Sequence, residues 1–278
     1  MSFKVITDST SDMSPEIAAQ HDIEVVPLSV AFGDETMLDG VLTQHEFFER
    51  MDASPQLPKT SQPPVGAFVE AYQRALEVHD QVLSVHISSK LSGTIESARQ
   101  AAEQFAGRVQ VIDSLNLSWA LAYQVVEAAK VSAQGLTVDA AVERIEAIRD
   151  RVKIIVGLDS LENLAKGGRI GKVAAFLGSV LDIKVAISVD SEGAFYPVFR
   201  KRGEKAAMRA TLDWLAAGLG PAQRGRFAVG YASRPERALE LVEQIRQRFE
   251  VTDVLTYEAG SVICTHTGSG WGVVAVPE

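Results

Sequence analysis

Through residue 149 the chain alternates short apolar runs with stretches of helical periodicity, and few architectures accommodate that rhythm. Residues 3–7, 23–32, 82–87 and 108–112 read as strands. Between them, Ser14-Pro15-Glu16 starts a helix with proline in its first turn, and Thr43 with Glu46 has capping-box spacing ahead of a short helix over 44–51. Pro63-Pro64 open a helix whose apolar positions Phe68, Tyr72, Ala75 and Leu76 recur at helical spacing. Further helices are expected over 94–105, 119–133 and 137–149, the last with Val138, Ala141, Val142, Ile145 and Ile148 on one side. Strands alternating with helices imply βαβ units and a mostly parallel sheet.

Beyond residue 152 the pattern changes. A strand (153–158) and a short helix (160–166) end at Gly167-Gly168, and 172–181 reads as an apolar helix. Residues 183–190 and 194–200 flank Ser191-Glu192-Gly193, a hairpin signal. A helix (204–216), a strand (226–232), a helix (235–248) and a strand (252–257) follow. The uncharged stretch 259–277 is interrupted by Gly260, Gly268, Gly270 and Gly272 and reads as a glycine-rich loop with strands rather than a membrane span. The expectation is an α/β protein of two domains: 1–152, a mostly parallel sheet flanked by helices, and 153–278, a mixed α/β domain with a β-hairpin.

Composition narrows the function. With 27 basic and 36 acidic side chains the net charge is −9, which disfavours nucleic-acid binding. The single cysteine, Cys264, excludes an internal disulfide or a cysteine-cluster metal site. Asp8 interrupts the first apolar run too early for a secretion signal, so a cytoplasmic location is expected, without an integral membrane segment but with transient membrane contact allowed. Familiar motifs fail. Lys166–Val173 lacks the first glycine and the Ser/Thr of a phosphate loop, and Gly268–Gly272 is one residue short of a dinucleotide fingerprint. His45–Glu49 lacks the last ligand of a zinc-protease motif, and no Gly-x-Ser-x-Gly elbow occurs. No cofactor or metal is expected.

Small hydroxyl residues gather instead where strands end: Asp8–Asp12, Lys59–Pro63, His86–Thr94 and Asp113-Ser114. In an open parallel sheet such loops share the rim where ligands bind. Hydroxyls and backbone N–H groups there suit an anion with few oxygens, such as a carboxylate, and Gly93 beside Ser92 would let it approach the backbone. Asp8, Ser9, Ser61 and Ser114 are expected on the same rim.

These segments, with Lys166–Ile170 and His266-Thr267-Gly268, resemble in order and spacing the signatures of the DegV family over nearly the whole chain. The resemblance implies a long-chain fatty acid held by two α/β domains. It also implies a role as the fatty-acid-binding subunit of bacterial fatty acid kinase, in which a separate ATP-dependent subunit phosphorylates the bound carboxylate and the product feeds phospholipid synthesis. Carried over by motif, Thr60, Ser92, Gly93 and His266 hold the carboxylate, while Arg169, Arg200 and Arg202 face the kinase. Ser118-Trp119-Ala120 replaces a glycine-bearing stretch of the family after Asp113-Ser114, and Trp119 is expected to shorten or reshape the lipid channel. Candidate tunnel walls are 115–126 and Val173–Leu181. A stand-alone phosphatase or hydrolase centred on Asp8, with Asp113 nearby, and a lipid carrier or sensor without a kinase are the competing readings.

Overall fold

The computed structural model describes residues 2–176 and 182–278. Its elements run β1 (Phe3–Asp8), α1 (Pro15–Gln20), β2 (Ile23–Val26), β3 (Ser29–Phe32), β4 (Glu35–Leu38), α2 (Gln44–Ala53), β5 (Lys59–Ser61), α3 (Val65–Val78), β6 (Gln81–His86), α4 (Thr94–Ala102), β7 (Val109–Asp113), α5 (Ser118–Ala133) and α6 (Val138–Arg149). They continue with β8 (Lys153–Leu158), α7 (Glu162–Lys166), β9 (Ile183–Val189), β10 (Phe195–Arg202), α8 (Glu204–Leu219), β11 (Arg224–Ala232), α9 (Pro235–Arg248), β12 (Glu250–Glu258), α10 (Ser261–Thr267) and β13 (Gly270–Pro277).

The first half builds a four-stranded parallel sheet ordered β2-β1-β6-β7. Phe68, Tyr72 and Ala75 of α3 pack on one of its faces with Ala98 and Ala101 of α4, while α5 and α6 cover the other. The second half builds a mixed six-stranded sheet ordered β10-β9-β8-β13-β11-β12. Here β9 and β10 form the expected hairpin, and β11 and β12 are the parallel pair. Helices α8 and α9 bury Met208, Leu215, Leu241 and Ile245 against one face of this sheet. Its other face shares a hydrophobic cluster with the first half, in which Ile87, Leu117, Ala120 and Tyr123 meet Ile154, Leu158, Phe195 and Val274.

Four expectations are corrected. The apolar run 23–32 is two strands in different sheets: β2 pairs with β1, whereas β3 pairs with β4 and β5 in a three-stranded antiparallel sheet. The break falls at Pro27, which has no N–H to continue a ladder, and Ser9 Oγ accepts the Leu28 N–H (3.1 Å) just beyond it. The helix expected over 94–105 ends at Ala102 and tightens into a 3₁₀ turn over Glu103–Phe105. Gly171–Phe176 is likewise 3₁₀, and the rest of the helix expected over 172–181 lies outside the described residues. Finally, 259–277 contains a helix, α10, and then β13, an interior strand between β8 and β11.

Two long-range devices hold α10 in place. Asp12 Oδ1 accepts the Gly260 N–H (2.9 Å), and Asp39 Oδ1 accepts the Val262 N–H (3.3 Å), so carboxylates from the first half satisfy the orphan donors of the helix start. The hairpin tip is pinned as well: Ser88 Oγ donates to the Gly193 carbonyl at 2.8 Å. Gly193 has φ +85°, and a Cβ there would lie 2.1 Å from Ser88 Oγ, so glycine is required on both counts.

Candidate functional site

Thr60 is the middle residue of β5 and pairs with the buried Val30 of β3. Side chains alternate along a strand, so Thr60 turns inward while Lys59 and Ser61 are exposed. Inward lies α10, whose His266 brings Nε2 to 2.8 Å from Thr60 Oγ1. Both residues line one small pocket with Thr10, Leu91, Ser92 and Arg169. Ser92 lies 2.9 Å, oxygen to oxygen, from the Thr94 hydroxyl and accepts the Thr94 N–H at 3.3 Å, at the start of α4. Arg169 is anchored through its donors, Nε to the Leu91 carbonyl (3.2 Å) and a terminal nitrogen to the Gly167 carbonyl (2.7 Å).

Burial pushes the His266 imidazole down to about 4, and the nearby Arg169 charge adds to the effect, so the ring is neutral at pH 7. Its Nδ1 is buried with no hydrogen-bond partner among the described residues. A bare acceptor nitrogen there is consistent with the tautomer that carries its proton on Nε2. In that tautomer Nε2–H donates to Thr60 Oγ1, and the threonine hydroxyl hydrogen is free to point into the pocket.

Leu117, Phe195, Ile263 and Thr267 also line a second, strongly apolar pocket that adjoins the first along these residues. It runs between the start of α5 and the inner face of the C-terminal sheet, past Val156 and Leu158 to Gly230, Gly272 and Tyr257. The arrangement is a narrow apolar space with one polar end, where two hydroxyls, an imidazole and a guanidinium converge.

The structure therefore brings together Thr60, Ser92, His266 and Arg169, and adds the fully buried Thr10, which belongs to the hydroxyl-rich segment Asp8–Asp12 but was not singled out within it. It places the others elsewhere. Gly93 is not among the pocket-lining residues; a Cβ at Gly93 would come 2.2 Å from Gln62 Oε1, so that glycine makes room for Gln62. Ser9 lines a broader surface groove, Ser61 is exposed on the outer side of β5, and Ser114 is fully buried within its own turn. Arg200 and Arg202 lie exposed on β10, an edge strand. Of the expected tunnel walls, Leu117 and Ser118 line the apolar pocket. Trp119 does not; it packs on Tyr123 and Tyr257, with ring centroids 5.4 and 5.9 Å away, and faces the groove outside.

Asp8 is 0% exposed. Its carboxylate accepts the backbone N–H groups of Thr10 (3.0 Å) and Ile87 (3.0 Å), the Thr10 hydroxyl and His86 Nδ1–H (2.9 Å). Behind it, Ser84 Oγ meets His86 Nε2 at 2.6 Å and accepts from the Tyr72 hydroxyl at 2.9 Å. Ser84, His86 and Asp8 thus have the connectivity of a hydrolase triad, yet all are 0% exposed. A nucleophile must reach its substrate, and this geometry gives no footing to an Asp8-centred hydrolase.

Among the described residues, no group of three or more His, Cys, Asp or Glu side chains is arranged to hold a metal ion, and no helix is long and apolar enough to cross a membrane.

The model of the DegV family of uncharacterised proteins matches residues 2–278. A DegV domain-containing protein of Streptococcus pneumoniae is 36% identical over 273 residues, covering 98% of this chain and 97% of that protein. Among solved structures, a DegV family protein from Thermus thermophilus described as fatty acid binding superposes with a TM-score of 0.95 at 34% identity, with full coverage of both chains. DegV of Bacillus subtilis, described as a fatty acid binding protein, superposes with a TM-score of 0.88 at 29% identity, again covering 100% of each chain. Sequence and fold together make this chain a member of the DegV family.

Proposed function

We propose that this protein binds a long-chain fatty acid, with its carboxylate between Thr60, Ser92 and His266 and its tail in the apolar pocket that continues past Leu117 and Phe195. The observation that carries the reading is the Thr60–His266 contact of 2.8 Å at the polar end of an otherwise apolar space. A hydroxyl freed by its imidazole partner donates to one carboxylate oxygen, the Ser92 hydroxyl to the other, and Arg169 supplies the compensating charge. Burying each CH₂ contributes roughly 0.8 kcal/mol, so a tail of about 16 carbons gains on the order of 10 kcal/mol before ordering costs. The head group then needs only orientation and neutralisation.

In this reading the protein does no chemistry alone. It presents the carboxylate to a separate ATP-dependent kinase subunit in the cytoplasm, which forms the acyl phosphate for phospholipid synthesis. The exposed Arg200 and Arg202 are the cations offered to that partner, while Arg169 acts inside the pocket. The chain divides near residue 152 into two domains that close on the acyl chain from either side. Fatty acid binding by the family members from Thermus thermophilus and Bacillus subtilis supports the ligand class.

The test compares native and denaturing mass spectra of the purified protein and of a Thr60→Ala, Ser92→Ala double variant. A stoichiometric long-chain fatty acid lost from the double variant is the expected result. A wild-type protein that carries none and takes up none refutes the ligand class, and full retention in the double variant refutes the head-group assignment.

A further inference from the structure

The apolar pocket ends at Tyr257. On the inner face of the C-terminal sheet, Ala228, Val274 and Ile154 fill one end with side chains, but the positions at the other end are Gly230 and Gly272. Those two glycines leave a hollow in the sheet, and the Tyr257 side chain lies over it. A Cβ at Gly230 would come 2.4 Å from the Tyr257 ring, and one at Gly272 would come 3.2 Å from its hydroxyl. The ring is backed by Trp119, 5.9 Å away between centroids. Its hydroxyl is 2.9 Å from Ser118 Oγ, which donates to Asp12 Oδ2 at 2.5 Å.

Beyond this tethered ring is a broad open groove, lined by residues such as Met13, Ile17, Val25 and Trp119. Asp12, Tyr257 and Ala259 line both spaces, so the pocket and the groove meet at these residues. We propose that the Tyr257 ring, held over Gly230 and Gly272 by its tether to Ser118 and Asp12, is the stop that sets the longest acyl chain this pocket accepts. This rests on the fatty-acid reading of the pocket. The ring fills the hollow that Gly230 and Gly272 leave in the pocket wall, and removing it opens the pocket toward the groove. A chain too long for the pocket then extends past Asp12 rather than folding back. Each methylene newly buried strengthens binding about fourfold.

The test measures competitive binding of saturated fatty acids of stepwise increasing length to wild type, Tyr257→Phe and Tyr257→Ala, with Tyr257→Leu in place of alanine should the latter not fold. Wild type should show a length beyond which affinity falls. Tyr257→Phe retains the ring and should keep that limit, whereas Tyr257→Ala or Tyr257→Leu should move it to longer chains, with about a fourfold gain for each of the first added carbons. A purely structural role would weaken all lengths alike, and such a parallel loss overturns the proposal. So does an unchanged limit in the alanine and leucine variants, or a limit that already moves in Tyr257→Phe. A wild type that binds no fatty acid of any length overturns the ligand class itself, a different result from an unchanged length profile.

Discussion

Thr60 Oγ1 and His266 Nε2 meet at 2.8 Å although 206 positions separate them in the chain. Their meeting depends on β5 pairing with β3, and on Asp12 and Asp39 fixing the start of α10. The polar end of the pocket is thus built by elements from both ends of the chain.

Replacing Thr60 by valine keeps its shape and β-branching but removes the hydroxyl. A hydrogen bond to a charged partner contributes about 1.5–3 kcal/mol, so fatty acid affinity should fall roughly 10- to 100-fold with the fold intact. Displacement of a fluorescent fatty acid measures this. A change of less than about twofold would remove Thr60 from the head-group site.

Two buried groups should give opposite pH dependences of stability. Burial, partly offset by hydrogen bonds from Ser118 and Gly260 and reinforced by Asp39 and Asp8, raises Asp12 from 3.8 to about 7. Between those values the folded state holds a proton that the unfolded state has lost, so stability falls as pH rises, by on the order of 4 kcal/mol in all. Asp39 shifts in the same direction, also through burial. His266 runs the other way: lowered from 6.5 to about 4, it costs stability as pH falls through that window. Asp12→Asn should therefore make stability rise more steeply with pH from about 4 to 6.5, and His266→Gln should make it fall. Urea midpoints across that range are the measurement, and variants that track the wild-type curve in parallel would contradict both shifts.

Arg237 on α9 is 3% exposed and bonds to Asp159 at 2.8 and 3.2 Å and to Glu204 at 2.9 and 3.2 Å. Burial alone would raise Asp159, but hydrogen bonds from Arg237, Lys184 and Ser269 prevail and hold it at about 2. Arg237→Ala strips this network of its central cation and should cost about 3–5 kcal/mol. Chemical denaturation near pH 7 should show a loss of that size; one below about 1 kcal/mol would mean that water replaces the guanidinium freely.

Gly93→Ala should disturb Gln62, whose Nε2 donates to Ser97 Oγ at 2.8 Å and whose Oε1 would lie 2.2 Å from the new methyl. The expected cost is about 1 kcal/mol. Adding Gln62→Ala should recover part of it, because the second change removes the group in the way. Strict additivity in the double variant would place the cost in the backbone.

Much of this architecture is legible in the chain. The alternation over 3–149 announces the parallel sheet, and the Thr43–Glu46 capping box forms as its spacing predicts, with the Thr43 N–H donating to Glu46 at 2.9 Å. What escapes is decided at long range. Residues 23–32 are interrupted only by Glu24 and Ser29 among apolar residues, too few to set a periodicity that marks the change of sheet; only Pro27 hints at it. Strand β4 carries Glu35 and Thr36 at an exposed edge and gives almost no hydrophobic signal. Helix α10 consists largely of β-branched residues between glycines, and its start is satisfied by carboxylates more than 200 positions away. Arg169 could be noticed as a cation, but its place inside the pocket follows from its anchoring to the Leu91 carbonyl, 78 positions distant.

The buried set of Ser84, His86 and Asp8 carries a lesson about recognising enzymes. Ranked by interatomic distance alone, it would pass for a working nucleophile, base and orienting acid. Here the same connectivity serves as masonry, joining the ends of β1 and β6 beneath the loops that carry Thr10 and Ser92. Catalytic competence belongs to a constellation and its approach route jointly, and a chain can evolve the first as scaffolding without ever opening the second.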